Sequence, residues 1–200
     1  MKPKFSTLII LTVVCAILLI PFVFSPNYIP ILRDNDFDLY SIIQSEIYKQ
    51  LTGYLSLAFV LAEMVLTLRK RGRTWKIKFK VPGTMQLWRS LHIFLGIALV
   101  GSTFVHTMGA RGLNFNAIFL WVFFLVTLSA LVGVVAETGV VESPRRTFNL
   151  NPWAATANTG IGKGVLIRGF RNIWLTSHII LVTMFLVMLG FHIFLAYYYQ

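Results

Sequence analysis

Four histidines, His92, His106, His178 and His192, form two pairs with the same separation of 14 residues, and both pairs sit inside long apolar runs. On an α-helix, 14 steps of about 100° fall about 40° short of four turns, so the members of a pair face nearly the same way, about 21 Å apart along the axis. Imidazole is the commonest metal-ligating side chain. Two rings facing each other across a gap can hold an iron from both sides of a porphyrin plane. Zinc or copper fits less well, because two ligands per level, with no Cys or carboxylate at that height, do not complete a tetrahedral site. A lone histidine within a membrane also serves simply to hydrogen-bond a neighbouring helix. The joint pattern of four favours axial ligation of two hemes b. These would be bound non-covalently, since the single cysteine, Cys15, lies in an apolar run and makes no Cys-x-x-Cys-His attachment.

The elements that must position these rings are membrane spans. Of the 200 residues, 56% are hydrophobic and 12% charged, with 17 Phe, 7 Tyr and 5 Trp; mean hydropathy is +0.73. That is too little polar material to cover a water-facing shell. Five segments carry the roughly 20 apolar residues that a helix needs to cross a hydrocarbon core: about 7–24, 51–68, 87–108, 115–136 and 173–199. The expectation is an all-α, five-helix integral membrane bundle forming a single domain over residues 1–200, with its ligand-bearing core at about 87–199. His92 and His106 then lie on the third span, and His178 and His192 on the fifth.

The net charge of +11 comes from basic residues placed between the spans, not from a nucleic-acid-binding face, so no nucleic acid partner is expected. With a cytoplasmic N-terminus, only Arg33, Lys49 and Arg111 of the 18 Lys and Arg fall outside. The positive-inside rule therefore predicts N-terminus in and C-terminus out, in a bacterial cytoplasmic or related energy-transducing membrane. A cleaved signal peptide is the alternative for the first span, behind Lys2 and Lys4, but Pro21 to Pro26 holds no small-x-small site. The second half of the stretch from Asn27 to Lys49 reads as a short interfacial helix. The Gly-rich stretch from Gly160 to Gly169 reads as a flexible connector, since its Gly-x-Gly-x-Gly string lacks phosphate-loop spacing.

One even-numbered span separates the third from the fifth, so both run from inside to outside. Set side by side, they bring His92 level with His178 near the inner surface and His106 level with His192 near the outer one. Trp88 and Trp174 each precede the first histidine by four residues, so both spans read Trp-x3-His-x13-His. Tryptophan also favours membrane interfaces, so this repeat supports equal depth and not duplication.

The paired His-x13-His helices resemble those of membrane cytochromes b with two stacked hemes, most closely the ferric reductase and NADPH oxidase transmembrane family. The resemblance covers roughly 87–199. It implies His92 and His178 as ligands of the inner heme, and His106 and His192 as ligands of the outer one. Quinol-oxidising cytochromes b use similar ligation, but this sequence lacks their Pro-Glu-Trp-Tyr motif. Members of the reductase family usually append a flavin- and NADPH-binding domain, whereas this sequence ends at Gln200 directly after the fifth span. The expectation is thus an electron-transfer subunit that exchanges electrons with a flavin, iron-sulfur or cytochrome partner, or with a quinone. Two other readings stand beside it: a reductase acting directly on a quinone, metal ion or oxygen, and a non-heme anchor or transporter with structural histidines.

Arg89 and Arg171 at the inner side, and Arg111 at the outer, are candidate partners for heme propionates; each also fits an ordinary topology or interface anchor. Gly96, Gly101 and Gly190 permit either a macrocycle or a neighbouring helix to approach. Glu63 is the only acid inside an apolar segment. It can take a proton coupled to quinone reduction, or snorkel towards the arginines that begin at Arg69, the more favoured expectation.

Overall fold

The computed structural model describes residues 4–71, 81–110, 112–148 and 160–198. They form α1 (Phe5–Asn35), α2 (Phe37–Gln44), α3 (Glu46–Arg71), α4 (Met85–Thr107), α5 (Phe115–Glu142), β1 (Thr147–Phe148), β2 (Ile161–Gly162) and α6 (Lys163–Tyr198). The class is all-α, and five of the helices, all but α2, are long and apolar enough to cross a membrane. This is the architecture of a multi-pass integral membrane protein, since in lipid the backbone must satisfy its own polar groups.

The helices outrun the apolar segments, with physical reasons at each end. The apolar segment of α1 ends near Pro21 and Pro26, yet the helix continues through both and through Pro30 to Asn35. Pro26 has no N–H to offer the carbonyl four residues back, which belongs to Phe22. Ser25 Oγ lies 2.7 Å from that carbonyl oxygen and 2.8 Å from Ala110 O, its single proton serving the two, and accepts the Ala110 N–H at 3.1 Å. A short helix stands where one was expected, as α2, capped by Asp36, whose carboxylate accepts the Leu39 N–H at 3.0 Å. The Gly-rich stretch is no loose connector where it is described. Gly162 pairs with Thr147 in an antiparallel bridge, and α6 starts at Lys163, ten residues before Ile173. Gly164, Arg168, Gly169 and Arg171 interrupt the hydropathy without interrupting the helix.

Residues 13–117 form one compact unit, and residues 4–12 with 118–198 form another. In the first, α3 and α4 pack antiparallel. Tyr48 lies against Val105, Ser56 against Ser102 and Arg69 against Pro82. At one end of this hairpin the Arg69 guanidinium donates to the carbonyls of Val81, Pro82 and Gly83. At the other end α4 stops at Met108, in the left-handed region with φ 53°, followed by Gly109 at φ 114°. Here Phe22 meets Phe104 edge-on at 5.3 Å, and the Tyr28 hydroxyl donates to Met108 O. In the second unit, α5 and α6 also run antiparallel: Phe119 stacks on Phe185 at 5.3 Å, and Glu137 pairs with Arg171.

A Cβ on Gly109 would lie 2.1 Å from Ser25 Cβ, at a φ that L-residues rarely adopt. Gly112, at φ 74°, has nothing within 4 Å. Gly109→Ala is expected to cost more than about 2 kcal/mol and Gly112→Ala about 1, from backbone strain alone in the second case. Thermal unfolding of the two variants in detergent checks this order.

Candidate functional site

The register of the α3–α4 hairpin decides what the first two histidines meet. His106 Nδ1 lies 3.0 Å from Thr52 Oγ1 on α3. Thr52 Oγ1 also lies 2.6 Å from Tyr48 O, so its one proton goes to that carbonyl. The hydroxyl oxygen can then only accept from the imidazole. This places the His106 proton on Nδ1 and the lone pair on Nε2. Gly53 leaves room for the ring, since a Cβ there would sit 3.2 Å from His106 Cε1. Around it, Lys49 Nζ donates to His106 O at 3.0 Å and Tyr48 Oη to Val105 O at 2.8 Å, covering carbonyls that the last turn of α4 cannot pair within the helix.

Three turns along α3, Glu63 Oε2 meets His92 Nδ1. The carboxylate thus turns to the ring on α4 instead of snorkelling to the arginines, as the sequence favoured. Its side chain is 12% exposed, and its other oxygen, Oε1, is buried with no hydrogen-bond partner among the described residues. Gly96 lies on the same face of α4 as His92, where a Cβ would come 3.7 Å from Glu63 Oε1. Arg69, the nearest cation in sequence after Glu63, is committed to the loop carbonyls.

The second unit repeats the arrangement with different partners. His178 Nδ1 lies 3.1 Å from Ser129 Oγ on α5, and Ser129 Oγ donates to Val126 O at 2.8 Å. The same proton count puts the His178 proton on Nδ1. Trp174 packs over Gly133, where a Cβ would come 2.5 Å from the indole, and its ring centroid is 6.4 Å from that of His178. His192 lies against Phe119 at 5.3 Å, and Phe119 in turn stacks on Phe185. All four histidine side chains are half-buried.

The remaining sequence candidates divide. Arg171 is bound to Glu137 through both Nε and Nη2, the first at 3.1 Å. Arg89 is exposed near the start of α4. Arg111 lies outside the described residues, as do Arg73, Lys76, Lys78 and Lys80 of the basic loop. A Cβ on Gly101 or Gly190 meets nothing within 4 Å, so neither glycine is needed for the helix contacts described. Thr52, Ser129 and Phe119 were not legible as site residues, and for Glu63 the sequence offered the wrong partner. The available signal was a polar residue within an apolar span, which marks a group needing a partner but does not say which.

No family model, curated protein or solved structure matches the chain. Among the described residues no three His, Cys, Asp or Glu side chains converge to hold a metal ion.

Thr52→Val keeps the shape of the side chain and removes the oxygen that accepts from His106. It is expected to destabilise the protein by about 1 kcal/mol, the net value of the lost hydrogen bond, while Thr52→Ser stays near wild type. Chemical or thermal unfolding in detergent measures both.

Proposed function

We propose that this chain is a diheme b-type cytochrome subunit that carries electrons across a membrane. The observation that carries this reading is the set of oxygens on the histidine Nδ1 atoms: Glu63 for His92, Thr52 for His106 and Ser129 for His178. A histidine that ligates a metal through Nε2 characteristically donates Nδ1–H to a carboxylate, hydroxyl or carbonyl, which sets the tautomer and the ring orientation. His92, His106 and His178 each have such an oxygen at Nδ1, and each oxygen comes from the helix adjacent in sequence to the one that bears the ring. The donor set, all imidazole and without thiolate, suits bis-histidine heme.

In this reading His92 and His178 serve the inner heme, and His106 and His192 the outer one. Heme supplies a one-electron iron couple when bound. The chain's own residues do the rest. Thr52, Ser129 and Glu63 orient the rings, and Gly53 gives His106 its place. Phe119, Phe185 and Trp174 supply apolar and aromatic surface beside His192 and His178, keeping water from these levels. Arg89, Arg171 and Arg111 stand as cations for propionates, Arg171 being shared with Glu137. The distribution of basic residues supports a cytoplasmic N-terminus by the positive-inside rule, in a bacterial cytoplasmic or similar membrane. The basic inner loops suit docking of a flavin, iron-sulfur or cytochrome partner, with quinone as the alternative redox partner.

Purified from heme-replete membranes, the chain is expected to show Soret and α bands after dithionite and two hemes per chain by pyridine hemochrome. His92→Ala and His178→Ala are each expected to lose one and the same heme, and His106→Ala and His192→Ala the other. Absence of the bands overturns the proposal.

A further inference from the structure

The histidines do not share one kind of partner. His106 and His178 give their Nδ1 protons to hydroxyls, and His192 lies against a phenyl ring. His92 meets the carboxylate of Glu63. A carboxylate beside the outer nitrogen of a ligating imidazole tunes the metal through that ligand: its negative charge would compensate the extra positive charge of ferric iron and so favour the ferric over the ferrous state. Glu63 is largely buried, its second oxygen has no hydrogen-bond donor among the described residues, and Arg69 is turned away to the loop carbonyls. Bulk salt screens such a site little.

We propose that Glu63 is a positioning residue for His92 that holds the heme ligated by His92 at a lower midpoint potential than the heme ligated by His106. The two levels are then ordered in energy by the chain itself. The inference rests on the diheme reading above and adds to it the residue that would set the order of the two potentials.

Redox titration of the full-length chain in detergent, followed in the α band, is the test. Two one-electron steps are expected in the wild type. Glu63→Gln keeps an acceptor oxygen but removes the charge. It is expected to raise the lower step by about tenfold in its equilibrium constant, about 59 mV for one electron, and to leave the upper step in place. Steps that stay where they were, or that move together, overturn the proposal while two hemes per chain keep the diheme reading. If Glu63→Gln does not retain heme, His106→Ala decides: survival of the lower step supports the proposal, and survival of the upper one overturns it. A wild-type chain without two hemes removes the diheme reading itself.

Discussion

A half-buried imidazole in an apolar helix must place its N–H on an acceptor, because leaving it unpaired costs more than the net value of the bond it would make. In this chain the oxygens come from the helix preceding each histidine-bearing helix: Thr52 and Glu63 on α3 for α4, and Ser129 on α5 for α6. Each contact requires the two helices to hold one register. The polar pairs therefore select among the many alignments that apolar surfaces alone would tolerate, which matters where lipid removes most of the hydrophobic drive for helix association.

The ends of the helices hold that register by backbone chemistry. Arg69 gathers three successive loop carbonyls at one end of the α3–α4 hairpin. Lys49 and Tyr48 cover carbonyls in the last turn of α4. Ser25 joins α1 to the chain beyond α4 at the carbonyl and N–H of Ala110, with Gly109 admitting it at a distance no Cβ allows. The result is a ring at His106 whose orientation is over-determined: Thr52 on one nitrogen, Gly53 beneath, and its own carbonyl held by Lys49.

The five spans were legible because a run of apolar residues has one stable form in lipid. Their ends were less so. Hydropathy falls at Asn27 and rises again at Ile173, while the helices go on to Asn35 and begin already at Lys163. Helical hydrogen bonding does not stop where lipid stops, and a side-chain hydroxyl such as that of Ser25 can stand in for a proline's missing donor. The role of Glu63 was misjudged for a different reason. Proximity in sequence favoured the arginines that follow it, whereas the hairpin places it against a residue 29 positions away.

The sequence by itself determined the helical class, the number of spans, the asymmetry of basic charge, and two equally spaced histidine pairs. All are properties of local composition and of a 3.6-residue period, which need no knowledge of neighbours. Only the tertiary structure decided which oxygens His92, His106 and His178 meet, and hence which nitrogen carries the proton at His106 and His178. That choice depends on the packing register of α3 on α4 and of α5 on α6, a long-range property encoded in shape and in polar matches across helices, and not in any single run of residues.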